Sequence, residues 1–242
     1  MIEIKHVTKK YGNKIAVNDL NLTLNDGEIF GFIGPNGAGK STTIKMMTGV
    51  SQIEEGSIFI EGFNIAKEDI EAKKQFGFVP DNPDLFLRLK GIEYLNFIAD
   101  IYNVNKEDRK NKIKSLSEAF DLNDSLNQPI ISYSHGMRQK IILIGALLHE
   151  PKVWILDEPM TGLDPKSSFT LKEMMKEHAA KGNTVFFSTH VLEVAEKLCD
   201  RIGIINEGKL VYCGTMEDLK ETYKDKDLET IFLEITKDEK DA

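Results

Sequence analysis

Gly34-Pro-Asn-Gly-Ala-Gly-Lys40-Ser41 is the stretch that decides how this chain folds. It fits G-x-x-x-x-G-K-[ST], a loop whose backbone N–H groups cradle phosphates. The glycines let the main chain turn inward. Lys40 brings positive charge to the outer phosphates, and Ser41 offers a hydroxyl to Mg2+. Gly34, Pro35, Asn36, Gly37, Ala38, Gly39, Lys40, Ser41 and Thr42 are therefore the predicted phosphate-binding set. Glu28 to Ile33 reads as the strand leading in. Ser41 to Thr48 reads as the first turns of a helix, whose positive dipole end adds to the anion site.

Working outward, Ile2 to Val7 and Leu20 to Leu24 alternate as strands do, and Asn25-Asp-Gly27 follows as a turn. Ser57 to Gly62 is another strand. This run of antiparallel strands is expected to surround the phosphate loop. Phe76-Gly-Phe-Val-Pro80 is a short strand that proline ends. From about Asp84 to Glu150 the period becomes helical, with Ile92, Leu95, Asn96 and Ala99 on one face and Ile113, Leu116 and Phe120 on another. Gly136 to Glu150 is a third helix in that block. Val153-Trp-Ile-Leu156 and Thr184-Val-Phe-Phe-Ser188 then read as strands buried on both faces of a parallel sheet. Ser167 to Ala180 supplies the helix between them. Ile202–Ile205 and Lys209–Tyr212 form a hairpin around Asn206-Glu-Gly208. The tail from Lys224 is rich in charge, and Leu228 to Ile235 within it is amphipathic enough to dock back. The pattern is an α/β core carrying an inserted helical block.

The chain has 242 residues, 41% of them hydrophobic, which supports a real core. A net charge of −8 argues against a surface built to hold nucleic acid. Cys199 and Cys213 are far apart and in no metal-ligand spacing, as suits a reducing compartment. The longest apolar run, Ile141 to Leu148, is far shorter than the ~20 residues a bilayer span needs. The expectation is a soluble, cytoplasmic protein that reaches a membrane only through a partner.

Asp157-Glu158 follows the apolar run Val153–Leu156. Phosphoryl transfer needs a carboxylate at the end of a strand beside the phosphate loop to hold Mg2+, and Asp157 fits. Glu158, one residue on, is placed to polarise an attacking water. His190 follows the second buried run, so a parallel sheet brings it to the same edge. There it can meet the terminal phosphate or orient Glu158.

With these motifs the sequence resembles the ATP-binding-cassette (ABC) ATPases over nearly its whole length. The distinctive piece is Tyr133-Ser-His-Gly-Met-Arg-Gln139, similar to the family's Leu-Ser-Gly-Gly-Gln signature and set between the phosphate loop and Asp157. The resemblance implies an α/β fold: a P-loop NTPase (RecA-like) core with an antiparallel β subdomain and an inserted α-helical subdomain. It implies one such domain over 1–242. Residues 1–83 and 151–223 form the nucleotide-binding core with the β subdomain, 84–150 the helical signature subdomain and 224–242 the tail.

The same resemblance implies ATP and Mg2+ as cofactors and the following roles. Tyr11 matches the aromatic that stacks on adenine. Lys40, Glu158 and His190 match the catalytic set, and Ser41 and Asp157 the metal ligands. Ser134 and Gly136 match positions that reach across a dimer to the partner's nucleotide. Leu163-Asp164 matches the loop that couples the two sites. Asp81 stands where the family has a glutamine that contacts the metal; one methylene shorter and charged, it is expected to reach Mg2+ through water. His135 stands at a signature glycine, where it either weakens the shared site or adds a cationic contact. The Tyr-Ser-x-Gly-Met-Arg-Gln form, with the tail Leu228–Thr236, looks like the multidrug-type export branch.

The implied function is an ATP-hydrolysing transporter subunit on the cytoplasmic face of the cell membrane. Its implied partners are an integral membrane permease and a second ATPase subunit, identical or related, with no nucleic acid. A non-transport member acting on ribosomes or DNA is the alternative. A GTPase lacks its Asn-Lys-x-Asp motif here, and a module that binds ATP without hydrolysing it is the third reading.

Overall fold

The computed structural model describes residues 1–223, 226 and 228–237. The remaining positions of the tail expected over 224–242 lie outside the described residues. The described residues form ten strands and nine α-helices. The strands are β1 (Ile2–Tyr11), β2 (Lys14–Leu24), β3 (Ile29–Ile33), β4 (Glu55–Ile60), β5 (Phe63–Asn64), β6 (Phe76–Val79), β7 (Val153–Asp157), β8 (Thr184–Thr189), β9 (Arg201–Asn206) and β10 (Lys209–Thr215). The helices are α1 (Lys40–Met47), α2 (Asp69–Gln75), α3 (Gly91–Ile101), α4 (Lys106–Ala119), α5 (His135–Leu147), α6 (Pro165–Ala180), α7 (Leu192–Leu198), α8 (Met216–Thr222) and α9 (Leu228–Lys237).

Two sheets form. β2-β1-β4-β5 is antiparallel, and β10-β9-β3-β8-β7-β6 is parallel except for the β10 edge. The composition of the strands explains this division. Every residue of β3, β7 and β8 is buried, as central parallel strands covered by helices on both faces require. β2 instead alternates exposed and buried positions along Leu20–Leu24, with one face on the core and one on water. Phe30, Phe32, Phe186 and Phe187 are fully buried at the sheet centre. Each such side chain contributes about 1.5–3 kcal/mol.

The phosphate loop is not ringed by antiparallel strands, as the sequence suggested. It leaves β3 in the middle of the parallel sheet, and the antiparallel sheet lies to one side. The two are tied by Asn18 N–H to the Gly208 carbonyl at 2.8 Å and Gly208 N–H to the Ala38 carbonyl at 2.9 Å.

Between β6 and β7 come α3, α4 and α5. Ile141 to Ile144 of α5 are all buried. A helix that is apolar all round must be covered all round, and α5 packs against α3, α4 and β6. Its hydrophobic cluster runs without a break from Tyr94 and Leu95 into Trp154, Leu156 and Val185 of the sheet. Caps fix the helix starts: Asn105 accepts the Asp108 N–H at 2.9 Å, and Asp164 accepts the Ser167 N–H at 2.9 Å just before Pro165. The amphipathic tail segment docks as expected, with Ile231 buried beside Ala195, Ile202 and Leu219. Both cysteines are free thiols.

Candidate active site

Strands β9, β3, β8, β7 and β6 run parallel, so the loops that follow them emerge at one edge of the sheet. β3 delivers the phosphate loop, β8 delivers His190, β7 ends on Asp157 with Glu158 next, and β6 leads through Pro80 to Asp81. Asp157 ends β7, which does not pair with β3. β8 stands between, pairing Thr189 with Ile33 on one side and Ser188 with Asp157 on the other. The gap is bridged by hydroxyls: Ser188 Oγ donates to Asp157 Oδ1 at 2.6 Å, and Ser41 hydrogen-bonds the same carboxylate.

The phosphate loop turns back on itself through Gly39, at φ 115°, which precedes α1 without a side-chain cap. The first N–H groups of α1 are thus not consumed by a capping side chain, the arrangement that suits an anion. A Cβ on Gly34 would lie 2.4 Å from the Ile205 carbonyl oxygen, and one on Gly39 2.6 Å from that of Ala16. Neither position has room for any other residue. Lys40 is 6% exposed. Its Nζ donates to the Gly34 carbonyl at 2.6 Å and the Pro35 carbonyl at 3.3 Å, and stands 3.9 Å from Glu158 Oε1. Burial lowers the Lys40 pKa, opposed by Glu158, Asp157 and Asp81.

Asp157 is buried, and that burial raises its carboxyl pKa; the Ser188 and Ser41 hydrogen bonds pull it down, while Asp81 and Glu158 push it up. Glu158 sits at φ 48°, a left-handed conformation that non-glycine residues seldom adopt and that clusters at functional sites. Its N–H donates to Ser188 Oγ at 3.0 Å, and its Oε2 is 3.0 Å from His190 Nδ1.

A cavity of about 400 Å3 gathers Tyr11, Asn36, Gly37, Gly39, Lys40, Ser41, Thr42, Asp81, Glu158 and His190. Pro35 and Ala38 face a neighbouring hollow beside the Asn206–Gly208 turn. Among the described residues no group of three or more His, Cys, Asp or Glu side chains is arranged to hold a metal unaided. Ser41, Asp157 and Asp81 instead offer hard oxygen donors around a buried, charge-disfavoured carboxylate. This suits Mg2+, which takes one or two carboxylates and completes its shell with phosphate oxygens and water.

Ser134 and Gly136 do not line this cavity. Ser134 caps α5 by accepting the Met137 N–H at 3.3 Å. His135 packs against Gly162, where an added Cβ would come within 2.4 Å of the ring. Two ion pairs tie this segment to other loops. Arg138 meets Asp84 at 2.6 Å, and Lys140 meets the α6 cap Asp164 at 2.7 Å.

Sequence reading missed Ser188, Lys14, Ala16 and Thr161. Ser188 had a signal, a hydroxyl closing a buried apolar strand. Ala16 had none: the pairing of Lys9 with Val17 and Lys10 with Ile15 leaves it as the extra residue of a bulge, which turns it toward Gly39.

A nucleotide cavity at the carboxyl edge of a parallel sheet, with paired acids and a separate serine-capped helix, defines a nucleoside triphosphatase. The family model described as "ABC transporter" matches residues 17–161. The linearmycin resistance ATP-binding protein LnrL of Bacillus subtilis (strain 168) is 37% identical over 90% of this chain and 70% of its own length. The ABC transporter ATP-binding protein NatA of the same organism is 33% identical over 96% and 97%. A solved ATP binding subunit of an ABC transporter superposes with a TM-score of 0.93 at 33% identity, over 98% of this chain and all of that one. A dimeric ATP-binding cassette in a post-hydrolysis state, bound to ADP and Pi, superposes at 0.80 with 25% identity, over 89% and 99%. The chain belongs to the ABC transporter family as an ATP-binding, ATP-hydrolysing subunit. None of these relatives is named for work on ribosomes or DNA, and that alternative has no support. Among the described residues no helix is long and apolar enough to cross a membrane.

Proposed function

We propose that this chain powers export through a separate multi-spanning permease, working as one half of a nucleotide-sandwich dimer with an identical or related subunit on the cytoplasmic face of the membrane. The observation that carries the dimer is the separation of Ser134 and Gly136 from the cavity lined by Lys40, Ser41 and Glu158. The start of α5 carries the positive end of its helix dipole and keeps N–H groups beyond the one Ser134 accepts, so it serves the nucleotide of a second subunit. The relatives' names, a resistance protein and a Nod factor export protein among them, support the direction.

In this reading the phosphate loop and Lys40 hold the phosphates, and Tyr11 takes the base. Ser41 and Asp157 hold Mg2+, with Asp81 joining through water; the ion, when bound, neutralises charge developing on the phosphates. Glu158 orients a water and accepts its proton, and His190 fixes the Glu158 carboxylate through the 3.0 Å contact. The core is 1–83 with 151–223, and 84–150 moves against it. Motion reaches the permease through Asp81–Leu87. There Leu85 and Phe86 are exposed, and Phe86 lies 5.7 Å from the exposed ring of Phe97. An exposed apolar patch of this kind suits a short docking helix.

The test is affinity purification of the tagged chain from detergent-solubilised membranes, followed by ATPase assay of the isolated complex. Recovery of one multi-spanning protein, lost in Phe86→Asp, is the expected result. Recovery of soluble partners alone would overturn the transporter-motor reading.

A further inference from the structure

Lys9 and Tyr11 are two residues apart on β1, and the Lys9 ammonium lies over the Tyr11 ring, 5.3 Å from its centroid. The lysine side chain is only 11% exposed, whereas Tyr11 is 52% exposed and lines the nucleotide cavity. Lys9 does not line that cavity, whereas the ring it contacts does. Glu54 clamps this arrangement from one carboxylate: Oε1 accepts from Lys9 Nζ at 3.1 Å, and Oε2 from the Lys10 N–H at 3.1 Å. A lysine this buried is rare unless paired. Here it is paired twice, with a carboxylate and with a π face.

From this we infer that Lys9 is a positioning residue for the base of the nucleotide. It holds the Tyr11 ring from behind and leaves the other face to a purine, giving a three-layer stack of ammonium, phenol and base. The inference rests on the proposed role of Tyr11. A cation on one face draws on the ring quadrupole and removes the freedom of an exposed aromatic side chain, so the stacking surface is set before the base arrives.

Steady-state ATPase assays on the purified chain test it. Lys9→Met is expected to raise KM for Mg·ATP about two- to fivefold, with kcat within about twofold of the parent. Lys9→Arg retains the parent KM, because a guanidinium also stacks on aromatic faces. Inhibition by tripolyphosphate, which has no base, is unchanged in both. Tyr11→Ala raises KM, and adding Lys9→Met to it changes nothing further. The inference is overturned if Lys9→Met leaves KM unchanged while Tyr11→Ala raises it. It is also overturned if Lys9→Met weakens tripolyphosphate as much as ATP, or acts equally in the Tyr11→Ala background. An unchanged KM in Tyr11→Ala itself would instead remove the base-stacking role of Tyr11, and this inference with it.

Discussion

Ser188 donates its hydroxyl to Asp157 Oδ1 at 2.6 Å across the β7–β8 pair. Ser188 Oγ in turn accepts the Glu158 N–H at 3.0 Å. One small side chain thus orients the proposed metal ligand and pins the backbone of the proposed base. Ser188→Ala removes both bonds without changing the strand. A hydrogen bond to a charged group is worth about 1.5–3 kcal/mol, so kcat should fall about tenfold or more, with ATP affinity nearly kept. Parent-like turnover in this variant would show that Asp157 and Glu158 hold their places unaided.

Asp157 carries a cost to folding that its function requires. Burial raises its carboxyl pKa, so the fold disfavours the ionised form present at neutral pH. Asp157→Asn removes that charge and keeps an oxygen for Ser188. The nucleotide-free protein should melt at least about 2 °C higher, while Mg2+-dependent hydrolysis is lost. A lower melting temperature would contradict this account of the buried carboxylate.

Among the described residues, Lys40 and Lys14 are the two lysine or arginine side chains that line the cavity beside the phosphate loop. Lys40→Ala should weaken ATP binding about tenfold or more, the scale of one lost charge-assisted contact. Titration with a fluorescent ATP analogue reads this directly, and unchanged affinity would count against the phosphate-loop assignment.

Acid stability is set elsewhere. His149 and His178 are both pushed down to about 4, first by burial, though each also donates to a backbone carbonyl, of Phe76 and Lys152 respectively. The fold therefore prefers the neutral rings. Their contribution is fully present above the ordinary histidine value of about 6.5 and is lost as pH falls toward 4. His178→Gln, which can still donate to the Lys152 carbonyl, should flatten the decline in urea midpoint between pH 6.5 and 4. An equally steep decline would place the acid sensitivity in other groups.

Much of this was legible along the chain because the decisive signals are local. Gly34–Ser41 is contiguous, and the apolar runs of β3, β7 and β8 need no partner to be recognised. What escaped depends on neighbours distant in sequence. That β8 slides between β3 and β7 follows from sheet order, which no single strand encodes, and with it came the role of Ser188. Helices α2, α7 and α8 have seven residues each, too few for a periodic stripe to separate from a turn. The placement of Lys9 over Tyr11 depends on Glu54, 45 residues away.

The central claim is that ATP is held between the Glu158 face of one subunit and the Ser134 face of another. Molar mass of Glu158→Gln measured by light scattering, with and without Mg·ATP, tests it most directly. The account predicts the mass of one chain without nucleotide or with ADP, and twice that mass with ATP, together with hydrolysis slowed about 100-fold or more. Adding Ser134→Arg should return the protein to a single chain. Parent-rate hydrolysis by Glu158→Gln, or a mass that ATP does not change, would contradict it.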